Sequence, residues 1–253
     1  MNLKVFISGV ICLKYGIKTD RGLKRQLNED NCNVLVGYPG IPVCFVIADG
    51  MGGHQCGEVA SKQAVDSVCN YLLKSDWSKE DIPELLKKII TTVNEEIYKF
   101  SLLDISTQGM GTTLIITVLK NRKLYIGHVG DSRVYLIRNK TIEKVTWDHS
   151  FIEEMLKNGS ITKDEAINHP KKNLITRAVG YEPDLQVDTY EIDVEENDVI
   201  LLCTDGLSNM MAEDDILDII INNKDPQDAC DTLIQNANNK GGEDNVTVII
   251  GKI

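Results

Sequence analysis

The sequence predicts an α+β fold: a four-layer α-β-β-α sandwich in which two central, mostly antiparallel β-sheets are flanked by helix pairs. Strand-like runs rich in β-branched residues cluster instead of alternating with helices, and the block 112–145 holds several in succession, which favours antiparallel pairing over βαβ units. Helical periodicity also comes in pairs, at 57–73 with 82–103 and at 216–222 with 226–238. A chain of 253 residues, 42% hydrophobic and 26% charged, can bury the core that two packed sheets require.

Taken in order, Val5 to Leu13 (V-F-I-S-G-V-I-C-L) is a short apolar run closed by Lys14. No small-residue cleavage site follows it, and Ile11 before Cys12 spoils a lipoprotein signal, so an N-terminal strand or extension is expected over 1–14. Strands are expected at 34–37, 43–48, 112–119, 123–129, 134–138, 186–192, 199–203 and 245–250. Asn121-Arg122 between two of them reads as a two-residue hairpin turn. The stretch 151–177 interrupts this pattern with short helices and polar turns, as a surface insertion would.

Composition excludes several classes of function. A formal net charge of -11 leaves no clustered Lys and Arg for a phosphate backbone, so no nucleic-acid partner is expected. No segment reaches the ~18 to 20 apolar residues that span a bilayer, so no stable membrane insertion is expected. Seven cysteines, at 12, 32, 44, 56, 69, 203 and 230, are odd in number and form no C-x-x-C pair, as in cytoplasmic proteins with buried thiols.

The chemistry sits in acids beside glycines at strand ends: N-E-D at 28–30, A-D-G at 48–50, G-D-S-R at 130–133, T-D-G at 204–206 and G-G-E-D-N at 241–245. A single Asp-Gly is ordinarily a turn, in which Asp bonds its own backbone and Gly takes a positive φ. Asp49 and Asp205, however, end the apolar runs V-I-A and L-L-C-T, which read as buried central strands. Carboxylates gathered from such ends repel one another by about 4 kcal/mol per pair at about 4 Å and an effective dielectric near 20. A cation must offset that repulsion, and no matching Lys or Arg cluster accompanies these motifs. Oxygen-only ligands select Mg²⁺ or Mn²⁺, and an aspartate shared between two such ions about 3.5 to 4 Å apart builds a two-metal site for phosphoryl chemistry.

Other uses of the loop D-G-M-G-G-H-Q-C-G fail. From Gly50 the sixth position of a dinucleotide fingerprint is Gln55, and no Walker pattern is present. A cysteine-based phosphatase needs Arg six residues after the Cys, but Lys62 follows Cys56 and Asn209 follows Cys203 at that spacing. Ser208, in G-L-S-N-M, lacks the closing glycine of a hydrolase elbow.

In order, the motifs T-D-R-G-L-K-R-Q-L-N-E-D (19–30), D-G-M-G-G-H-Q-C-G-E-V-A-S (49–61), G-M-G-T-T (109–113), H-V-G-D-S-R (128–133), D-H-S (148–150), H-P-K-K-N-L-I-T-R-A-V-G (169–180), L-L-C-T-D-G-L (201–207) and G-G-E-D-N-V-T (241–247) span about residues 15–252. On these motifs the sequence resembles the metal-dependent type 2C protein serine/threonine phosphatases, most closely the compact bacterial members. The resemblance implies one catalytic domain over 1–253, with about 148–175 as a flap beside the site, and two Mn²⁺ or Mg²⁺ ions bridged by Asp49. Glu29 and the Gly50 carbonyl would hold one ion, Asp205 and Asp244 the other, and Asp131 with Asp205 a weaker third. Arg25 would grip the substrate phosphate, and Asp30 would orient the attacking water.

The implied reaction is direct hydrolysis of phosphoserine or phosphothreonine by a hydroxide bridging the metals, without a phosphoenzyme. The implied partners are phosphoprotein substrates and the serine/threonine kinase that makes them, and a cytoplasmic monomer is expected. A fold that kept binding and lost catalysis, or a phosphatase of small molecules, are the competing readings. Eukaryotic members often have His directly after the Asp-Gly, where this chain has Met51; His54, three residues on, is a candidate general acid or a polar loop residue. His128 is expected to pack beside a strand end, and His169 to be a flap contact.

Overall fold

The computed structural model describes residues 5–7, 11–52, 56–78, 81–162, 165–166, 169–171 and 174–253. In chain order its strands are β1 (Val5–Ile7), β2 (Ile11–Asp20), β3 (Asp30–Leu35), β4 (Val43–Met51), β5 (Gly111–Thr112), β6 (Leu114–Lys120), β7 (Lys123–Val129), β8 (Arg133–Arg138), β9 (Thr141–Lys144), β10 (Asp188–Asp193), β11 (Val199–Cys203) and β12 (Val246–Lys252). Helices α1 (Cys56–Lys74) and α2 (Ile82–Ser101) follow β4, and α3 (Phe151–Lys157) follows β9. Helices α4 (Asp205–Ser208), α5 (Glu213–Asn222) and α6 (Pro226–Asn239) lie between β11 and β12.

The strands form two sheets, ordered β1-β2-β12-β11-β8-β9 and β10-β7-β6-β4-β3, with β5 extending β4. Every described pairing is antiparallel, as the clustered strands predict. Asn121 and Arg122 both take positive φ, 52° and 60°, in the tight turn between β6 and β7, a twist that matches that of the strands it joins.

Side-chain parity explains the layers. In β4, Val43, Phe45 and Ile47 face the second sheet and meet Ile200, Leu202 and Ile249, while Cys44, Val46 and Ala48 lie under the helices α1 and α2. In β11 and β12, Leu201, Cys203, Val248 and Ile250 lie instead against α5 and α6. A central strand covered on both faces has no polar side, which is why these runs read as continuous hydrocarbon. Full burial of each such side chain contributes roughly 1.5–3 kcal/mol.

The helix ends follow local chemistry. Asp81 caps α2 by accepting the Glu84 N–H at 3.2 Å, and Asp225 caps α6 by accepting the Gln227 N–H at 2.9 Å, each followed by a proline in the first turn. Helix α5 begins three residues before the apolar periodicity, on Glu213, Asp214 and Asp215, whose charge suits a helix N-terminus.

Some strands differ from expectation. The first long strand starts at Ile11, inside the stretch 1–14 read as a strand or extension, and runs on to Asp20, with Leu13 fully buried between the sheets. Strand β3 starts four residues before Val34, on the polar D-N-C-N, because its pairing with β4 fixes it. Strand β9 is a short edge whose alternate residues are exposed, so it gives no apolar run.

Candidate active site

At one end of the inter-sheet core the inward-facing residues change from hydrocarbon to acid and hydroxyl. Asp49 is the next residue of the Val43-Phe45-Ile47 parity, and its register partner on β3 is Asp30. From the opposite sheet come Thr247, two residues before Ile249, and Thr204, two after Leu202. Their hydroxyls donate to Asp30 Oδ2 at 2.7 and 2.9 Å. Asp30, only 4% exposed, is thereby tied across the sandwich.

The backbone amide of Asp49 donates to Thr113 Oγ1 at 2.9 Å, and its carbonyl accepts from Thr113 N at 2.8 Å and Thr112 Oγ1 at 2.9 Å. The main chain is thus satisfied without the carboxylate. Gly50, within β4, makes a close approach to α1: a Cβ here would lie 2.1 Å from the Gly57 carbonyl oxygen, and one on Gly57 would lie 2.6 Å from Glu29 Oε1. Two glycines back to back therefore let the first turn of α1 reach Glu29, whose carboxylate accepts the Gly57 N–H. Burial lifts the Glu29 carboxyl above its ordinary range, against the pull of Arg25.

Asn245 joins the N-terminal and C-terminal parts of the site. Its Oδ1 accepts the Glu29 N–H at 2.8 Å, and its Nδ2 donates to the Arg21 and Leu27 carbonyls at 2.8 Å each. A Cβ on Gly206 would stand 1.9 Å from the Asn245 carbonyl oxygen, so the glycine after Asp205 is what lets α4 close against Asp244-Asn245. Asp244 Oδ2 accepts from Arg25 Nη2 at 2.7 Å, while its Oδ1 takes the Asn245 N–H at 2.8 Å. Arg25 is half-exposed and makes that single side-chain bond, leaving most of its guanidinium fork at the mouth of the site.

The acids raise one another's pKa. Burial, then Asp30, Asp205, Asp131 and Asp244 in turn, push Asp49 well above the carboxylate range. Asp30 is pushed up to about 7, chiefly by burial and against its two threonine bonds. Burial with Asp205 and Asp148 pushes Asp131 to about 8, and burial with Asp244 pushes Asp205 to about 6. Asp30 Oδ1, Asp131 Oδ1 and Asp205 Oδ1 are buried with no hydrogen-bond partner.

Leaving such oxygens unpaired is costly, and their chemistry fits a hard divalent cation. Among the described residues no three His, Cys, Asp or Glu side chains stand at a spacing that holds one ion by themselves. A Mg²⁺-type site completed by one or two carboxylates, a carbonyl and water does not require three.

A cleft of about 370 Å³ opens over Asp131 and Asp205, lined also by Arg133, Asp148, Glu153 and Asn209. One wall is anchored at Asp148, which takes Arg133 Nη2 at 2.6 Å and Arg133 Nε at 3.0 Å, with Lys144 at 3.3 Å. His128 is a packing residue: it is fully buried, its Nε2 lies 3.0 Å from the Ser132 carbonyl oxygen, and burial pushes it down to about 3. The His169 ring lies near that of Phe151, with centroids 6.1 Å apart. His54 lies outside the described residues.

Asp30, Asp131, Asp205 and Asp244 thus all lie near enough to Asp49 to act on its charge, Arg25 and Glu29 lie beside Asp244, and the Gly50 N–H donates to the Glu29 carbonyl. Thr204, Thr247 and Asn245 join the site beyond the residues to which the sequence motifs give a role. Their signal was available for the threonines: hydroxyl residues at inward parity in strands that are otherwise apolar.

Comparison with known proteins points the same way. A family model described as protein phosphatase 2C matches residues 22–240. The chain is 40% identical over 240 residues to serine/threonine phosphatase stp of Listeria welshimeri, covering 92% of this chain and 93% of that protein. It superposes on the Streptococcus agalactiae serine/threonine phosphatase with a TM-score of 0.91 at 32% identity, covering 95% of this chain and 99% of the other. The catalytic domain of the phosphatase PstP, solved in complex with two manganese ions, gives a TM-score of 0.84 at 30% identity, with 95% and 97% covered.

Proposed function

The chain belongs to the protein phosphatase 2C family and is a serine/threonine protein phosphatase, and from that premise we propose how its residues divide the work. The observation that carries the proposal is the set of three buried, partnerless carboxylate oxygens, on Asp30, Asp131 and Asp205, around Asp49. Asp49 would be shared by two Mn²⁺ or Mg²⁺ ions. Glu29 and the Gly50 carbonyl would complete the first, Asp205 and Asp244 the second, and Asp131 with Asp205 would hold a weaker third. When bound, such ions activate water and neutralise phosphoryl charge.

The protein's own part is placement. Asp30, held at Oδ2 by two threonines, keeps Oδ1 free to take a proton from, or orient, an attacking water. Arg25, at the rim, has the donors to bind two phosphate oxygens while Asp244 fixes one arm of its fork. The burial of Asp30 and Asp131 lowers the local dielectric and so strengthens the charge interactions around them.

The test is hydrolysis of a phosphothreonine peptide and of p-nitrophenyl phosphate. EDTA is expected to stop both reactions and Mn²⁺ to restore them; undiminished hydrolysis in EDTA would reject the metal assignment. Arg25→Ala is expected to lower kcat/KM for the peptide by roughly 10- to 100-fold, mainly through KM, with Arg25→Lys intermediate. An unchanged KM would move the phosphate grip elsewhere. Fold stability should hardly change, because exposed ion pairs such as Arg25–Asp244 contribute little.

We assign a serine/threonine kinase as the source of the substrates, by the chemistry of the phosphoesters removed. The thiols of Cys32, Cys44, Cys69, Cys203 and Cys230 are free, which supports a reducing, cytoplasmic setting. No helix of the described residues is long and apolar enough to cross a membrane.

A further inference from the structure

A second cleft, of about 470 Å³, is formed by the segment 174–186 with Met51 and takes no part in the chemistry above. Its lining is largely apolar, with Met51, Leu174, Ile175, Ala178, Tyr181 and Leu185. Met51 directly follows Asp49-Gly50 and pairs with Gly111 of β5, so the cleft begins one residue from the proposed metal ligands. Leu174 and Tyr181 are 47% and 52% exposed. Single exposed apolar residues are common, but two large ones converging with Met51 on a concavity beside a reactive centre mark a binding surface.

The walls are built rather than incidental. Asn94 of α2, fully buried, donates to the Glu182 and Pro183 carbonyls at 2.9 and 3.2 Å and accepts the Gly180 N–H at 2.7 Å. Val179 exchanges backbone bonds with Thr112 at 2.8 and 2.9 Å, so Tyr181 is held from both sides. The opposite wall is fixed by the Phe151 N–H to the Leu174 carbonyl at 2.9 Å and by the bridge between Ser150 and Ile175. Ser150 lines the acid cleft, and its bridge partner Ile175 lines the apolar one.

Charge decides the occupant. The rim carries Glu182 and Asp184, and Arg177, the cation of the lining, already donates to Asp188 at 3.0 Å. An anionic metabolite would find no unengaged cation among the described lining residues, on a chain of net charge -11. A neutral or basic polypeptide with an apolar side chain would find area and no repulsion.

We propose that the cleft bounded by Met51, Leu174 and Tyr181 is a specificity subsite that receives an apolar side chain of the phosphoprotein, close in sequence to the phosphorylated residue. This rests on the reading of the chain as a protein phosphatase acting through the adjoining acids. The cleft would set which phosphoserines and phosphothreonines are preferred, through kcat/KM, without touching the reacting atoms.

The experiment uses phosphothreonine peptides in an alanine background, with phenylalanine scanned through the positions flanking the phosphoresidue, and p-nitrophenyl phosphate as a substrate too small to fill the cleft. One position is expected to favour phenylalanine over alanine by roughly tenfold in kcat/KM. Tyr181→Ala and Leu174→Ala should each shrink that preference to about threefold or less, while the p-nitrophenyl phosphate rate stays within about twofold of wild type. No preferred position, a preference that survives both substitutions, or a parallel fall in the p-nitrophenyl phosphate rate would each overturn the proposal. Hydrolysis of p-nitrophenyl phosphate with none of any phosphopeptide would instead overturn the protein-phosphatase premise itself.

Discussion

Asp49→Asn is expected to remove measurable turnover of both p-nitrophenyl phosphate and phosphopeptides while leaving the protein folded. Phosphomonoester hydrolysis is among the slowest uncatalysed reactions, so the loss of a ligand shared by two metals should cost several powers of ten, at about 1.4 kcal/mol each. Folding should survive because the Asp49 main chain is bonded to Thr112 and Thr113 independently of the carboxylate. The substitution also removes the cost of keeping a carboxyl buried among Asp30, Asp205, Asp131 and Asp244, and its amide can donate to a neighbouring partnerless oxygen. Metal-free Asp49→Asn should therefore melt no lower than the metal-free wild type, and should lose most of the thermal gain that Mn²⁺ gives the wild type. Asp205→Asn should behave alike. Near-normal kcat/KM in both variants would refute the metal assignment; inactivity accompanied by unfolding would reassign the acids to structure.

The ends of β4 and β11 were legible because a strand buried on both faces has no polar residue until it reaches the site. V-I-A-D and L-L-C-T-D announce themselves by the abrupt charge. The polar start of β3 and the exposed edge β9 lack that contrast, and pairing with a neighbour fixes them, which no local window contains. The same division runs through the site. Asp49, Asp131 and Asp205 each sit beside a glycine in a recognisable motif. The contact of Arg25 with Asp244 and the hold of Thr247 on Asp30 join residues more than two hundred positions apart. Parity could have flagged the two threonines, since each continues an inward-facing row of Ile and Leu. Nothing local marks Asn245 as the residue whose side chain ties Arg21, Leu27 and Glu29 together.

Metal-free protein is expected to lose stability as pH rises from about 6.5 to about 8.5, and Mn²⁺ or Mg²⁺ to restore most at the upper end. In the unfolded chain these aspartates titrate near the usual carboxylate value of about 4. In the folded, metal-free protein Asp30 holds its proton to about 7 and Asp131 to about 8, with Asp49 also raised, chiefly because burial disfavours their charged forms. Raised folded pKa values mean that the folded state keeps protons the unfolded state has released. Their contribution is fully present below the unfolded pKa and disappears as pH passes the folded values. His128 and His149 act oppositely, because burial lowers their pKa, but at their unfolded pKa of about 6.5 all but roughly 0.4 kcal/mol of each effect is already present, so little of it falls in the chosen window. With ~1.4 kcal/mol for each pKa unit, the aspartate cluster can change stability by several kcal/mol. A divalent ion at about 100 times its Kd contributes about 2.7 kcal/mol more to the folded state, or a Tm rise of roughly 5 to 10 °C for a chain of this size. Because ligands must be deprotonated to bind, that rise should be larger at about pH 8.5 than at about pH 6.5. Thermal melts in EDTA and in Mn²⁺ at both pH values read this directly, and Asp131→Asn should flatten the metal-free slope. A metal-free Tm that climbs towards pH 8.5, or a metal effect of equal size at both pH values, would show that these carboxylates are not the groups the cations relieve.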